Sequence, residues 1–413
     1  MIMLRVGCTS TVGKERKMAD RRKQMDNAKT VKKRKKLNKR QQQKRKLVII
    51  GVEIFCLLLL LGALYVWSLW SKVDVDSGFN DSEAGINTDI DKETLETLEG
   101  YTNIAIFGLD NRSTGNYKYG HSDVIMIARI DNKTKQVKLV SVYRDTYLSV
   151  GDGKFNKANS AYMKGGAKQA VQMLNANLDL NIKEYVCVDW AAVIEAVDAL
   201  GGIELDITKA EVKHLNMYVR DMGKEIGSDT TQIEGPGRQL LNGAQATAYA
   251  RIRYTAGMDF KRSSRQRIVL EAMLNKAKAA NVGTLLDICN LVFDDISTSL
   301  QLTEIIDIVK HVNDYTIEST TGFPFEMTTD QLSGSGSTVI PIGLEDDVAQ
   351  LHKYLFETED YKPSKTVQAI SNAIVEKTGV KEGDASINVE DFNNTAGQTG
   401  TSFKDSESTE TED

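Results

Sequence analysis

The chain has 413 residues, 41% of them hydrophobic, and a formal net charge of -5 at neutral pH. That length and apolar fraction exclude a small disulfide scaffold and a wholly disordered chain, and leave room for one large domain or two ordinary ones with tails. The charge is split, with 18 lysines and arginines against 3 acids in residues 1–46 and an excess of acids from Ser71 onward, so the two ends face different surroundings.

The segment LVIIGVEIFCLLLLLGALYVWSLW, residues 47–70, carries one charge, Glu53. About 20 apolar residues cross a bilayer, so 47–70 is predicted to be a single N-terminal transmembrane helix. The basic flank keeps 1–46 in the cytoplasm and sends the rest out, and Tyr65, Trp67 and Trp70 mark the outer interface. A cleaved signal peptide fits less well, because the run is long and no small-x-small site follows. The basic tail is explained by topology and anionic lipid rather than by nucleic acid. Of four cysteines, only Cys187 and Cys289 are exported. They read either as one disulfide or as two buried thiols, and no Cys/His spacing points to a metal.

Residues 71–99, polar and without an apolar period, read as a stalk, with compact structure from Tyr101. NIAIFGLD (103–110), SDVIMIARI (122–130) and QVKLVSVY (136–143) read as strands, the last two joined by a DNKTK turn. GGAKQAVQMLNANL (165–178) is helical, with Val171, Leu174 and Leu178 on one face. YVCVDW is a strand. DWAAVIEAVDALGG (189–202) is a helix capped by Asp189, and GIELDI is a strand. NGAQATAYA and SSRQRIVLEAMLNKAKAAN follow as helices. Alternating strands and helices over 100–280 predict an α/β layered sandwich, a central mixed β-sheet flanked by helices. Residues 281–379 read as a mostly helical accessory region, with a β-leaning piece around GSGS and LEDDVAQLHKYLF as a last helix. Residues 380–413 read as a solvated acidic tail.

Strand ends carry the candidate chemistry. Asp110 ends the first strand, followed by Arg112, and Asp123 opens the second. If those strands are neighbours, both acids reach one sheet edge, a pair suited to Mg²⁺ with phosphate oxygens and water; the alternative is that each caps a turn. Arg144 and Asp145 follow the third strand, facing a cleft or each other, and Asn159 lies in the KANSAYMKGG loop. The densest feature is ARIRYTAGMDFKRSSRQR, residues 250–267, with five arginines and one acid. A helix from Asp259 sets Asp259, Arg262 and Gln266 on one face with Arg265 beside them, and Arg251 and Arg253 can fold back onto it. Arginine suits bidentate phosphate recognition; a solvated basic face is the alternative. The scarcity of local carboxylate leaves a bound anion as the expected partner.

Taken in order, FGLDNR, HSDVIMIARI, SVYRDTYL, KANSAYMKGG, VDALGGIELDI, LNGAQATAYARIRY and DFKRSSRQRIV resemble the motifs of the LytR-CpsA-Psr family of Gram-positive cell-wall proteins, over residues from about 100 to 280. The resemblance implies a phosphotransferase anchored in the cytoplasmic membrane and working outside it. Such an enzyme takes an anionic glycopolymer, teichoic acid or capsular polysaccharide, from a polyprenyl pyrophosphate carrier. It joins the polymer by a phosphodiester to the N-acetylmuramic acid 6-hydroxyl of peptidoglycan. The lipid lies in an apolar pocket between sheet and helices. By the same resemblance Asp110 and Asp123 match the acids that bind Mg²⁺ (or Mn²⁺). Arg144, Arg251, Arg253, Arg262 and Gln266 match pyrophosphate-binding positions, and Asp259 the acid that holds the arginines or the metal shell. One departure is Tyr143, where the family usually has proline. Two other functions use the same residues: a hydrolase of the lipid pyrophosphate, and a non-catalytic protein that binds anionic polymer or regulates wall enzymes.

Overall fold

A computed structural model describes residues 81–110, 120–255 and 258–392, with 18, 21, 22, 57, 60, 74–76, 79 and 117 besides. The chain divides into two units, residues 1–67 and 68–413, and every element below belongs to the second. The expected cytoplasmic tail and membrane anchor lie outside the described residues, apart from those few positions. Among the described residues no helix is long and apolar enough to cross a membrane.

In chain order the elements are β1 (Asp74–Val75), α1 (Lys92–Leu98), β2 (Tyr101–Leu109), β3 (Ser122–Asp131), β4 (Gln136–Val142), β5 (Tyr147–Ser149) and β6 (Phe155–Lys157). Then come α2 (Asn159–Leu178), β7 (Glu184–Val188), α3 (Trp190–Ala199), β8 (Ile203–Ile207), α4 (Lys209–Ile226), β9 (Gly237–Leu241), α5 (Gly243–Arg251) and α6 (Met258–Ala279). The remainder is α7 (Val282–Val292), β10 (Ile296–Thr298), α8 (Leu302–Lys310), β11 (Thr316–Phe323), β12 (Glu326–Leu332), β13 (Gly336–Pro341), α9 (Leu344–Phe356), α10 (Lys365–Thr378) and β14 (Ile387–Asn388).

Seven strands form one mixed sheet in the order β1-β10-β7-β2-β3-β4-β11. The β2–β3 and β3–β4 pairs are antiparallel; β2–β7 and β4–β11 are parallel. The central strands read as near-continuous apolar runs because both faces are covered. On one face Ala105, Phe107, Ile127 and Val140 join the main core with Val171, Leu174 and Leu178 of α2. On the other, Met126, Ala128 and Leu139 meet Leu270 of α6 and Ile308 of α8. A second core ties α3, α4 and α5 to the antiparallel β8–β9 pair, whose strands are joined through α4, by Val197, Leu205, Leu215, Leu241 and Tyr249. This is the α/β sandwich with a central mixed sheet that the alternating pattern predicts.

The structure differs from the sequence reading in four places. The stalk over 71–99 is in part folded: β1 pairs with β10, Ala84, Ile90 and Leu98 are buried, and Asn87 donates to Asp179 Oδ1 at 2.6 Å. The 281–379 segment is no separate helical region, since β10 and β11 are strands of the central sheet. LEDDVAQLHKYLF is α9, but α10 follows it, N-capped by Ser364. The acidic tail begins later than Val380, because β14 pairs with β12, Val389 is buried and the Phe392 ring stacks on Phe260 at 5.0 Å. Cys187 and Cys289 are both free thiols.

Candidate active site

The antiparallel register sets Leu109 opposite Ser122, so Asp110 leaves β2 at the edge where Asp123 enters β3. Arg144 follows the end of β4 at that edge. Two helices deliver the remaining residues. Arg251 ends α5, and the turn after it carries Arg253. Asp259, Arg262 and Gln266 occupy the first turns of α6. Asp110, Asp123, Arg251, Arg253, Arg262 and Gln266 line one cavity of about 110 Å³, together with Trp190 and Tyr218. A wider cavity of about 690 Å³ shares Asp110, Asp123 and Arg253 with the first; Arg144, His121, Asn156, Lys157 and Asn159 are among its other walls.

Inside this site the arginines are paired. Asp123 Oδ1 accepts from Arg144 Nη1 at 2.8 Å and Oδ2 from Arg253 Nη2 at 3.3 Å, and its backbone carbonyl accepts from Arg262 Nη2 at 3.3 Å. Asp259 Oδ2 accepts from Arg144 at 3.1 Å, while its Oδ1 lies 3.2 Å from Arg253 Nε and 3.6 Å from Arg262 Nη1. Asp145 holds Arg144 Nε at 3.4 Å and Lys157 at 3.0 Å. The expectation of arginines left without carboxylates is therefore corrected. One partner, Asp259, is local to Arg253 and Arg262, but Asp123 stands 130 residues from Arg253, and Arg144 reaches Asp259 across 115, beyond any local count.

The electrostatics follow from this packing. Burial pushes Asp259 up, but Arg262, Arg144 and Arg253 outweigh it and hold the carboxyl below its ordinary range. Burial, with Arg144 alongside, pushes the Arg262 guanidinium down to about 10. Arg144 moves the other way, because Asp123, Asp259 and Asp145 outweigh its burial. Arg251 is held differently: its guanidinium lies over the rings of Trp190 at 5.2 Å and Tyr218 at 5.7 Å, with Glu225 at 3.8 Å. Such stacking suits the planar guanidinium.

Two residues were assigned to the site that the structure puts elsewhere or leaves open. Arg265 is buried behind it, donating to Glu211 Oε1 at 2.7 Å, to the Ile252 carbonyl at 3.1 Å and to Thr255 Oγ1 at 2.7 Å. Its position on α6 turns it toward α4, so it braces the turn that carries Arg253. Arg112 lies outside the described residues. The Gly-Gly of KANSAYMKGG is a break within α2, where Gly165 and Gly166 are non-helical. Sequence reasoning missed Trp190 and Tyr218. Trp190 Nε1 donates to Asp110 Oδ1 at 3.1 Å, a contact across 80 residues with no local signal.

Tyr143 is buried where proline is usual in the resembling family, and its N–H donates to the Phe323 carbonyl at 3.0 Å. Its ring meets Phe260 edge-on at 4.7 Å. Gly322 makes room for it, since a Cβ there would stand 2.2 Å from Tyr143 Oη.

Asp110 and Asp123 could hold a Mg²⁺-type ion. That ion takes one or two carboxylates and completes its shell with phosphate oxygens and water, and two acids facing one arginine-walled cavity supply that donor set. Among the described residues no group of three or more acids, histidines or cysteines forms a closed metal cage.

Comparison with known proteins gives a consistent result. The model of the LytR_cpsA_psr family matches residues 72–351. The polyisoprenyl-teichoic acid–peptidoglycan teichoic acid transferase TagU of Enterococcus faecalis is 34% identical over 236 residues, 56% of this chain and 70% of that protein. A solved structure of a Streptococcus agalactiae protein superposes with a TM-score of 0.53 at 22% identity, covering 66% of this chain and 94% of that one, a likeness of fold alone. The crystal structure of TagV of Bacillus subtilis gives 0.50 at 26% identity over 64% of this chain and 98% of that one.

Proposed function

The chain belongs to the LytR-CpsA-Psr family, and on that premise we propose that it is a membrane-anchored phosphotransferase of the cell wall. It moves an anionic glycopolymer, teichoic acid or capsular polysaccharide, from a polyprenyl pyrophosphate carrier to peptidoglycan and leaves a phosphodiester. One observation carries the reading. Two strand-end acids and three arginines, separated by more than a hundred residues in sequence, face one cavity.

Phosphoryl transfer asks mainly for positioning and for neutralisation of charge. Arg251, Arg253 and Arg262 bind the two phosphates, and Gln266 adds a hydrogen-bond donor. Arg144, set between Asp123 and Asp259, stabilises charge that gathers on the leaving lipid phosphate. Asp110 and Asp123 would hold Mg²⁺, which would supply Lewis-acid neutralisation of phosphate oxygens. Asp123 has both carboxylate oxygens engaged by guanidiniums, whereas among the described residues Asp110 accepts a hydrogen bond through Oδ1 alone. Asp110 Oδ2 is thus the better oxygen to take the proton of the attacking sugar hydroxyl. The wider cavity beyond the shared wall, lined by Asn156, Lys157 and Asn159, suits a polar, hydroxyl-rich partner.

Half-buried apolar side chains beside the sheet support the lipid part of this reading. Ile106, Val124 and Ile130 are only partly buried where they meet Leu270 and Ile308. No residue of α8 is buried, although Leu302, Ile305, Ile306, Ile308 and Val309 are all apolar. A polyprenyl chain between sheet and helices would cover them.

The test uses the full chain with lipid-linked donor and peptidoglycan acceptor. Wild type should yield wall-linked polymer and Asp110→Ala should not; full transfer by Asp110→Ala would remove its role. Free polymer phosphate as the product would favour a hydrolase, and no turnover with intact polymer binding a non-catalytic protein.

A further inference from the structure

A row of rings runs from the smaller cavity to the surface. Trp190 and Tyr218 line that cavity with Arg251 between them. Tyr218 lies nearly parallel to Tyr254, with ring centres 6.4 Å apart and planes 16° apart. His214, one turn before Tyr218 on the same face of α4, meets Tyr254 at 5.9 Å. Tyr254 is 66% exposed. Ordinary burial does not explain the arrangement: a large ring one residue after a site arginine is steadied from beneath by two others while most of its surface stays open to solvent.

A flat, steadied ring at the mouth of a phosphate site fits a particular ligand. The π face is electron-rich and attracts polarised C–H groups, and a hexopyranose ring presents such C–H groups on one side and hydroxyls on its rim. The row starts at the arginines and leads outward, so the group it meets is the one attached next to the bound phosphates. The wider cavity shares the Asp110, Asp123 and Arg253 wall, and among the described residues its lining holds one imidazole, His121, and no tyrosine, tryptophan or phenylalanine. The two openings therefore differ in chemistry: one has Trp190 and Tyr218 in its wall, the other is walled mostly by amides, hydroxyls and charges.

We propose that Tyr254, braced by Tyr218 and His214, forms a stacking subsite for the sugar ring that carries the transferred phosphate. This deepens the pyrophosphate reading of the same site and rests on it. Tyr254 selects donors bearing a pyranose over the bare lipid pyrophosphate.

The experiment measures binding of two probes to the full chain, geranylgeranyl diphosphate and its N-acetylglucosaminyl ester. In wild type the sugar-bearing probe should bind tighter. Tyr254→Ala should weaken the sugar-bearing probe about two- to tenfold, the size of one aromatic contact, and leave the bare diphosphate unchanged. Tyr254→Leu, which keeps apolar area without a ring, should behave like the alanine variant, and Tyr254→Phe should retain the preference. Equal weakening of both probes, as contact with the lipid would give, overturns the proposal, and so does an unchanged preference in Tyr254→Ala. If wild type binds neither probe, the pyrophosphate reading itself fails and the subsite falls with it.

Discussion

Arg144 is the guanidinium on which the site's ion network turns, and its removal has a calculable consequence. It meets Asp123 at 2.8 Å, Asp259 at 3.1 Å and Asp145 at 3.4 Å, with 19% of its side chain exposed. In Arg144→Ala each of these acids keeps another cation: Arg253 and Arg262 for Asp123 and Asp259, Lys157 for Asp145. Breaking a fully buried pair costs about 3–5 kcal/mol, and an exposed pair contributes about 0–1. Partial exposure and the remaining partners put the loss near 2 kcal/mol, or a Tm lower by roughly 3–6 °C for a domain of this size. The loss should depend on pH. Asp259 is held below its ordinary range by its arginines in spite of burial. A carboxyl with a depressed folded pKa contributes stability that is present above its unfolded value, about 3.9, and is lost as pH falls through the folded value. Urea unfolding of the full chain, followed by circular dichroism, should show the full difference at neutral pH and a shrinking one below about pH 4. A difference that stays constant or grows on acidification would refute the reasoning.

Other substitutions separate structure from chemistry. Arg265→Ala should cost about 3–5 kcal/mol by stranding buried Glu211, whereas pairing Arg265→Met with Glu211→Gln should recover most of it in thermal unfolding. Gly322→Ala should destabilise by about 1–3 kcal/mol through overpacking, and the cost should largely vanish in a Tyr143→Ala background, read as a double-mutant cycle. Asp110→Asn and Asp123→Asn should both abolish transfer. Only Asp123→Asn should also lower the Tm, because Asp123 anchors three arginines while exposed Asp110, among the described residues, accepts from Trp190 alone.

The sheet's first strands, the α2 apolar face and the Asp189 cap were legible because each is a local pattern: a run, a period or a cap followed by its helix. The α6 face was legible for the same reason. A helix beginning at Asp259 fixes Asp259, Arg262 and Gln266 by spacing alone. What failed was non-local. Thr316–Phe323 is polar in its first half and paired to β4 along its length, so alternation gave no strand signal there. The folded part of 71–99 has few apolar residues, and its attachment depends on Asn87 reaching Asp179 from 92 residues away. Arg265 shows the limit within a well-read helix. Spacing put it at the side of the site, but only the position of Glu211 on α4 decides that it faces inward.

The same distinction explains why the site holds as many acids as it does. Guanidiniums gathered alone in a half-buried cavity would repel one another, as the depression of Arg262 by burial and by Arg144 records. Asp123 and Asp259 remove that strain by lying between the arginines. Each acid reaches Arg144, Arg253 and Arg262, so these three are tied to one another through two carboxylates. The planes of the guanidiniums are then set before any anion arrives, and orientation is what distinguishes arginine from lysine at a phosphate. Arg251 is the exception. Its nearest acid, Glu225, stands off at 3.8 Å, and rings rather than carboxylates fix its plane. It stands where the phosphate cavity meets the row of rings leading to Tyr254. The fold thus holds the arginines in two ways: three are oriented by two shared carboxylates, which leave the frame a net positive charge for the phosphates, and the fourth is oriented by rings.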